Sequence, residues 1–463
     1  MDNRTQTISP QLQQHRTGPG QNPGGQSRLH RRRPASARKA AARQERPQAK
    51  AMPVAVQQGR LHSGLLITTI IMICFGLVML FSASMSDGYA NKEGNPMYYV
   101  LRQASITGAG LLAALIIGLF FSIRFFDKMI FTVGLYSVTS VLLLLVKIKG
   151  EITNGGQRWL ELGPVRFQPS ELAKLAAVFC FAGYVSWVSR RRANGKFQAR
   201  GPVRQVLLDA FVDILFPATA LLVWAGLILW QPHLSGFVIM CFIIMSVFLA
   251  AGIRFRTYLV SFTLVVVLLL AVGLILATAL PIFMPKEQLT AAIEENFAHV
   301  QKRIDTFQNP EEASADDVYQ ITQSMIAIGS GGMTGLGLGE GRQKYNYLPE
   351  SHNDFVFAII GEELGFIGTV SVVLLFVAFL IFGVSIAMRA ATPFATILAS
   401  GYTMLIVVQA FLNIGVTTWL LPTTGISLPF FSYGGTANFF FLIAIGFILC
   451  ASRTGQRQSL RQI

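Results

Sequence analysis

Residues 64–84 read GLLITTIIMICFGLVMLFSAS, a run of 21 residues with no charged side chain. An α-helix rises 1.5 Å per residue, so about 20 apolar residues are enough to cross the roughly 30 Å of hydrocarbon in a bilayer. Runs of 18 or more apolar residues are typical of membrane spans rather than of core helices in soluble domains. The stretch therefore predicts a transmembrane helix.

Nine further apolar runs of comparable length follow along the chain. With the first, the predicted spans are 64–84, 104–123, 129–147, 170–188, 210–230, 234–252, 257–284, 355–386, 393–416 and 432–451. An even number of spans places both termini on the same side. The sequence thus predicts an all-α integral membrane protein with ten transmembrane helices and a large external loop, 285–354, between spans 7 and 8.

The composition agrees with a membrane protein. Of the 463 residues, 52% are hydrophobic and only 13% are charged, whereas soluble domains carry about 25% charged residues. This excludes an ordinary soluble enzyme, a disulfide-rich secreted scaffold and a coiled coil. The formal net charge is +15, and most of that excess lies before the first span.

Residues 1–62 contain twelve Lys or Arg against two acidic residues and show almost no aliphatic periodicity. Such a segment cannot bury enough apolar surface to offset its ordering entropy, so we predict a disordered basic tail. Basic residues ahead of a first span typically hold the N-terminus in the cytoplasm beside anionic membrane lipids. This interpretation is favoured over nucleic-acid binding, and no nucleic-acid partner is expected.

The distribution of Lys and Arg among the loops and tails outside the predicted spans indicates how the protein is oriented in the membrane. Basic residues recur on the N-terminal side, in 190–192, in 254–256 and in the tail 453–463, whereas 285–354 holds eleven of the 23 acids and only five Lys or Arg. Because Lys and Arg accumulate on the cytoplasmic side, we predict that both termini are cytoplasmic and that loop 285–354 is external. The membrane domain is then 63–452.

The first polar stretch on the external side is 154–174, NGGQRWLELGPVRFQPSELAK. The Pro-Ser pair before Glu171 is typical of a helix start. Glu171 and Lys174 then lie one turn apart at the mouth of a span, where they are either a structural ion pair or functional groups. Because Arg158 lies in the same connection, a functional role is favoured.

The second polar stretch is the loop 285–354. Apolar residues at three- and four-residue steps predict an amphipathic helix over 288–305. Seven glycines follow within 329–341, a density that permits close backbone approach to a ligand, or a hinge.

Asp354 closes this loop directly before a span that contains Glu362. On a regular helix the two residues are about 12 Å and about 80° apart, so they can line one cavity. The alternative is an interfacial carboxylate above a packing network. Since Arg342, Lys344 and His352 lie in the same short stretch, function is favoured.

The third polar stretch is 415–436, GVTTWLLPTTGISLPFFSYGGT. Its prolines and glycines forbid a regular helix, and non-helical backbone near membrane depth is tolerated only where protein or a wet cavity surrounds it. This segment, with Ser432 and Gly434, is predicted to form part of the wall of a site.

Three motifs carry a family likeness: QPSELAK (168–174), YLPESHNDFVFAIIGEELG (347–365) and LPTTGISLPFFSYGG (421–435). In this order and on this topology they closely resemble the SEDS family of shape, elongation, division and sporulation proteins, which contains FtsW, RodA and SpoVE. The resemblance covers the chain from about residue 64 to 452. The stretch QKYNYLPESHNDF (343–355) looks more like the division protein FtsW than the elongation protein RodA.

The resemblance implies a ten-span bundle that polymerises lipid II into glycan strands outside the bacterial plasma membrane. It further implies a class B penicillin-binding protein as partner, other divisome membrane proteins, and a place at the division septum. Asp354 matches the family's essential aspartate and would be the general base that accepts the proton of the attacking sugar hydroxyl. The candidate substrate-binding residues are Arg158, Glu171, Lys174, Arg342, Lys344, His352, Glu362, Ser432 and Gly434.

The leaving pyrophosphate needs cations, and Arg158, Lys174, Arg342 and Lys344 are the candidates. A divalent ion such as Mg²⁺ or Mn²⁺ would share this work, although no ligand cluster in the sequence requires one.

The chain departs from the family pattern at two places. His233 stands where the family commonly has an aspartate, and Asp316-Asp317 stands where it has Gly-Ser. The first change replaces a carboxylate with an imidazole, and the second adds charge and stiffens a loop near the site.

Three alternatives stay open at this point. A lipid II flippase or other transporter would also use intramembrane charges and broken helices, but it needs a polar path to the cytoplasmic side, whereas the unusual residues cluster externally. A non-enzymatic scaffold for a penicillin-binding protein would tolerate replacement of the loop carboxylates. A RodA-like elongation polymerase would use the same chemistry.

Overall fold

The computed structural model of the chain describes residues 59–153, 156–162, 165–231, 233–283, 301–311 and 313–454. The predicted basic tail therefore lies outside the described residues except for its last four positions. The amphipathic helix predicted over 288–305 also lies largely outside them, although residues 301–308 are helical.

The described chain is mostly helical. In chain order the helices are α1 (Ser63–Asn91), α2 (Tyr98–Phe120), α3 (Ile123–Phe126), α4 (Met129–Lys149), α5 (Pro169–Ala193), α6 (Pro202–Asp209), α7 (Phe216–Trp230), α8 (Leu234–Ala250), α9 (Phe255–Phe283), α10 (Ala315–Ser330), α11 (Val356–Arg389), α12 (Pro393–Thr417) and α13 (Gly435–Ser452). A π-helical turn, Ala210–Leu215, joins α6 to α7.

Within the described residues, eight helices are long and apolar enough to cross a membrane, with α6 and α7 counted as one continuous rod. The helix α8 and the first part of α9 are shorter apolar helices. Each of the ten predicted spans overlaps one of these helices. The helical membrane fold is thus confirmed, whereas the count of ten spans stays a prediction.

The described chain also contains one small β-sheet, which the sequence analysis did not predict. Three short antiparallel strands, β1 (Glu151–Thr153), β2 (Gly156–Leu162) and β3 (Val165–Phe167), form a small sheet between α4 and α5. Thr153 pairs with Gly156, and in the sequence only Asn154 and Gly155 separate these two residues. Asn-Gly is a strong hairpin signal, and it was available in the sequence.

Three helices form the centre of the bundle. In the most apolar 18 residues of α5, α12 and α13, 72%, 67% and 72% are buried, against 28% in α2 and 22% in α4. The peripheral helices therefore direct apolar side chains toward lipid. The central helices also carry side chains that hold the loops between the helices.

Small residues let α2 and α13 pack closely. Gly110, Ala114 and Gly118 follow each other at four-residue steps on α2, and a Cβ on Gly446 of α13 would lie 2.8 Å from Ala114 Cα. In lipid, helix association depends on such close van der Waals contact rather than on the hydrophobic effect. The spacing explains why this pair runs in contact along its length.

The span predicted as one regular helix over 355–386 is broken at Gly365, where φ is 63° and ψ is −159°. The break leaves backbone N–H and C=O groups without hydrogen-bond partners inside the helix. The backbone of the glycine-rich loop forms hydrogen bonds with these groups. The N–H of Phe366 donates to the carbonyl of Gly332 at 2.9 Å, and the N–H of Leu336 donates to the carbonyl of Glu362 at 3.0 Å. The loop and the broken helix thus form one hydrogen-bonded unit.

The loop backbone can approach α11 this closely only because two of its residues are glycines, since a side chain at either position would overlap the helix backbone. A Cβ on Gly331 would lie 1.9 Å from the carbonyl oxygen of Gly361, and a Cβ on Gly335 would lie 2.1 Å from that of Glu363. At these two positions the close approach is to α11. Gly331 and Gly335 thus serve packing against α11 rather than a ligand, and a ligand or hinge role for the other glycines stays a prediction.

We predict that Gly331→Ala destabilises the protein, because its Cβ would overlap the Gly361 carbonyl. Overpacking of this kind costs about 1–3 kcal/mol. Gly329→Ala is the matched control, since no atom lies within 4 Å of its added Cβ and its φ is not positive. Thermal unfolding of both variants in detergent measures the difference, and equal midpoints would contradict the close-contact explanation.

Candidate functional site

Asp354 lies in a tight turn immediately before α11. The N–H groups of Asn353 and Phe355 both donate to the carbonyl of Glu350, at 3.0 and 3.3 Å. The Asp354 side chain is half-buried. The turn fixes this carboxylate at the end of the bundle opposite to residues 59 and 454.

Asn413 of α12 holds this turn against the non-helical loop that follows α12. Its Nδ2 donates to the carbonyl oxygens of Asp354 and Ile426, both at 2.6 Å. The side chain is only 1% exposed. A buried polar group left without a partner costs about 1–3 kcal/mol. The Asn413 amide therefore fixes the position of the Asp354 turn relative to the loop that contains Ile426.

The loop 418–434 forms one wall beside Asp354, and it is non-helical as predicted. Gly425 has a φ of 63°, and a Cβ there would lie 3.3 Å from Oδ2 of Asp354. Only glycine adopts this backbone conformation readily and leaves the carboxylate uncrowded.

Burial and, to a smaller extent, the carboxylate of Glu350 raise the pKa of Asp354 to about 7, while the guanidinium of Arg303 acts in the opposite direction. A pKa near neutrality is the value expected of a general base that works near pH 7. Strongly perturbed carboxylates in clefts are also enriched at functional sites.

Arg303 is a site residue that the sequence reasoning missed. It lies on the helix 301–308, its Nη1 donates to the carbonyl of Thr423 at 3.3 Å, and it interacts electrostatically with Asp354. Burial lowers its pKa, and Asp354 raises it. In the sequence its position within the proposed amphipathic stripe concealed it, because long cationic side chains commonly flank such stripes.

Arg158 of β2 belongs to the same cationic cluster. Burial lowers the pKa of Arg158, and the nearby Arg303 lowers it further. His233 lies within electrostatic range of both guanidiniums, and burial, together with these cations and Lys174, lowers the pKa of His233 to about 3. The imidazole is therefore neutral, and its Nδ1 lies 3.3 Å from Ser170 Oγ. Neutral His233 adds no charge where the family commonly has a carboxylate.

Glu171 and Lys174 form the ion pair that the sequence offered as one alternative. Lys174 Nζ lies 2.8 Å from Glu171 Oε1, and both side chains are buried. Lys174 also donates to Gln409 Oε1 at 2.9 Å, and Gln409 Nε2 donates to the Ser427 carbonyl at 3.2 Å. The pair therefore connects α5 through α12 to the loop that flanks Asp354.

Lys344 does not lie in the cationic cluster. Its Nζ contacts Glu363 Oε1 at 2.8 Å, and neither side chain of this pair is exposed. Lys344 also donates to Gly339 O at 2.6 Å and to Ser82 Oγ at 3.2 Å. This complete set of buried partners binds the loop to α11 and α1, which corrects the expectation that Lys344 contacts substrate.

Glu362 is likewise enclosed. Its carboxylate accepts from the backbone N–H groups of Arg342, at 2.8 Å, and Gln343, at 3.2 Å, and it is 1% exposed. It therefore does not share a cavity with Asp354, because the carboxylate is occupied by the loop. The Arg342 side chain is exposed.

His352, Ser432 and Gly434 shape the same wall. The His352 ring packs against Tyr99 in a tilted arrangement, with a centroid distance of 4.7 Å, and burial lowers the pKa of His352. Ser432 Oγ accepts from the Leu428 N–H at 2.7 Å and is buried. Gly434 precedes α13. The contacts of His352 and Ser432 hold the backbone of the wall in place. The buried Ser432 side chain is not accessible to a substrate in this arrangement.

No group of three or more His, Cys, Asp or Glu side chains in the described part of the chain is arranged as a metal site. The side chains of Asp316 and Asp317 lie outside what the structure describes. A divalent ion at this end of the bundle thus stays an expectation.

The chain matches the family model of FtsW, RodA and SpoVE, described as cell cycle protein, over residues 63–457. It is 34% identical over 396 residues to the probable peptidoglycan glycosyltransferase FtsW of Legionella pneumophila, covering 84% of this chain and 90% of that one. It is 32% identical over 393 residues to stage V sporulation protein E of Bacillus subtilis, covering 84% and 96%. The predicted family resemblance is confirmed.

Two solved structures share the fold. One is a chain from the work "Structural coordination of polymerization and crosslinking by a peptidoglycan synthase complex", with a TM-score of 0.59, 24% identity and coverage of 86% of this chain and 99% of that one. The other is the rod shape determining protein RodA of Thermus thermophilus, with a TM-score of 0.56, 24% identity and coverage of 86% and 98%.

We predict that Asn413→Asp destabilises the protein by about 2 kcal/mol or more, because an isosteric carboxylate cannot donate to the Asp354 and Ile426 carbonyls. Asn194→Asp, at the exposed C-cap of α5, is the same chemical change and should stay within about 0.5 kcal/mol of wild type. Thermal unfolding compares them. Equal losses in the two variants would show that Asn413 does not hold the loop.

Proposed function

We propose that this chain, which belongs to the FtsW, RodA and SpoVE family of cell cycle proteins, is a peptidoglycan glycosyltransferase. It would polymerise lipid II into glycan strands at the external face of the membrane. The activity is the one named for its FtsW relatives.

One observation carries the proposal at the level of the site. A single half-buried carboxylate, Asp354, lies beside the non-helical wall 418–434 and within electrostatic range of Arg303, which in turn interacts with Arg158. A base beside a cluster of guanidiniums is what transfer of a sugar from a pyrophosphate requires.

Asp354 would act as the general base. A sugar hydroxyl is a weak nucleophile until its proton is removed in the transition state, and a carboxylate with a pKa of about 7 both exists as the base at neutral pH and retains a useful proton affinity. The carboxylate would accept this proton as the new glycosidic bond forms. By analogy with inverting glycosidases, it would act on the face opposite to the leaving group.

Arg158 and Arg303 would bind the departing pyrophosphate. Guanidiniums present paired donors that match phosphate oxygens and remain charged even when partly buried. Lys174 would act differently from the first expectation, because it is buried against Glu171 and Gln409. It would hold the wall in place rather than contact the phosphates.

A divalent cation such as Mg²⁺ or Mn²⁺ would bind with the help of the substrate's phosphates, as Mg²⁺ commonly does. It would neutralise charge that develops on the leaving group.

The proposed partner is a class B penicillin-binding protein that crosslinks the new strands. Support comes from the fold shared with a chain of a peptidoglycan synthase complex in which polymerization and crosslinking are coordinated. The proposed setting is the division septum of a bacterial plasma membrane, with other divisome membrane proteins, both termini cytoplasmic and the Asp354 end external. The Lys and Arg bias of the connections supports that orientation.

We predict that Asp354→Asn abolishes strand synthesis from labelled lipid II while the thermal unfolding midpoint is retained, because the amide cannot accept the proton. Losing a general base typically lowers the rate by about 10²–10⁴-fold. The assay follows glycan products from purified protein, alone and with the penicillin-binding partner.

Asp305→Asn is the matched control for that assay. Asp305 is an exposed carboxylate on 301–308, outside the proposed site, and its replacement should leave synthesis unchanged. Normal synthesis by the Asp354→Asn variant would remove Asp354 from the mechanism. Movement of lipid II across the bilayer without strand formation would favour a transporter instead.

We predict an acidic limb in the pH profile of kcat/KM. The base works only when deprotonated, so activity should fall as pH drops below about 7, the pKa of Asp354. Arg303→Ala removes a cation that favours the carboxylate, so the limb should move up by about one unit. Arg303→Lys keeps the charge and should move it less. A profile that is identical in wild type and Arg303→Ala would contradict this assignment.

A further inference from the structure

A second polar site lies at the opposite end of the bundle from Asp354. A cavity of ≈ 420 Å³ opens among the end of α5, the connection that leads to α6, the π-helical turn and the start of α9. Small-molecule sites occupy about 300–1,000 Å³, so this cavity is large enough for a compact ligand. None of its lining residues contributes to the proposed polymerisation site.

Both acidic and basic side chains line this cavity. Arg192 of α5 forms ion pairs with Asp209 at 2.8 Å and with Asp213 at 3.0 Å. Lys196 and Arg254 are two exposed cations of the lining that form no ion pair with any described residue, and Arg254 interacts with Asp213 through space. The cavity thus offers both carboxylates and cations to a ligand.

The two carboxylates retain acceptor capacity. Asp209 accepts from Arg192 and Gln205 through Oδ1, and Asp213 accepts from Arg192 through Oδ2. The second oxygen of each carboxylate receives no hydrogen bond from a described residue. Two carboxylate oxygens are therefore available to a cationic donor.

The π-helical turn is what places these acids together. Pro217 has no N–H with which to continue the helical ladder, and the turn instead bonds the Phe216 N–H to the Phe211 carbonyl. Tyr184 OH then donates to the Val212 carbonyl at 2.8 Å. Such π-turns inside helices occur frequently at functional sites.

The neighbouring surface is apolar and directed outward. Val203, Leu207 and Phe211 follow each other at four-residue steps and are 71%, 44% and 57% exposed, while Gln205 and Asp209 face the cavity. A helix with one polar and one exposed apolar face at the end of a bundle is typical of the membrane interface. A ligand with both a charged head and hydrocarbon chains fits this arrangement.

We propose that this cavity binds the headgroup of an ethanolamine phospholipid from the leaflet on that side. The phosphate would lie between Lys196 and Arg254, and the ammonium would donate to the open oxygens of Asp209 and Asp213. The acyl chains would lie along the Val203–Phe211 stripe. A glycerol headgroup has no cation for the carboxylates, and the methyl groups of choline leave no N–H to donate.

The test is native mass spectrometry of the full-length protein in detergent, titrated with dioleoyl phosphatidylethanolamine, phosphatidylglycerol or phosphatidylcholine. We expect the ethanolamine lipid to bind about tenfold more tightly than the other two, since it alone gains charge-assisted hydrogen bonds. The double variant K196Q/R254Q should bind it about tenfold more weakly. R200Q/R256Q removes two exposed cations of the same connections that do not line the cavity, and it should bind as wild type does.

Equal binding of the three lipids would overturn the proposal, as would unchanged affinity in K196Q/R254Q. Soluble glycerophosphoethanolamine is a further arm, and binding as tight as that of the lipid would assign the cavity to a soluble ligand and overturn the lipid assignment. None of these measurements depends on strand synthesis, so they stand apart from the test of the polymerase.

Discussion

The non-helical segments of this protein depend on buried side chains that satisfy their backbone. Asn413 donates to the carbonyls of Asp354 and Ile426, and Asn438 accepts from the Phe430 N–H at 3.0 Å and donates to the Ser432 carbonyl. A loop enclosed by apolar helices has little water to replace these partners, and each unpaired group is costly. The amide side chains of the central helices therefore decide where the loops lie, and through them where Asp354 lies.

The charged residues at the Asp354 end are of two kinds, those that are buried with a partner and those that remain partly accessible. The pairs Glu171–Lys174 and Lys344–Glu363 are buried, so removing one partner would leave an uncompensated charge. Asp354, Arg303 and Arg158 instead remain partly accessible and interact through space. The first kind holds loops against the helices, and the second kind remains accessible at the surface of the site.

The sequence was informative where its signals are local. Apolar runs located the membrane helices, and the prolines and glycines after α12 predicted its non-helical wall. The motif that contains Asp354 identified a carboxylate that is partly buried and near a guanidinium, as a general base would be. Sequence reasoning missed the hairpin before α5 despite its Asn-Gly signal, and it assigned Lys344 and Glu362 to substrate because it could not see that each already has a partner.

The hydropathy along the sequence by itself determined that this is a helical membrane protein and approximately where each helix lies. Hydropathy over some 20 residues depends only on the residues of that segment. Only the tertiary structure decided that α11 breaks at Gly365 against the glycine-rich loop, that Arg303 lies near Asp354, and that a π-helical turn brings Asp209 and Asp213 to Arg192. These outcomes join residues from different segments. They depend on which buried polar groups find partners when the helices pack, and that information is not local to any stretch of sequence.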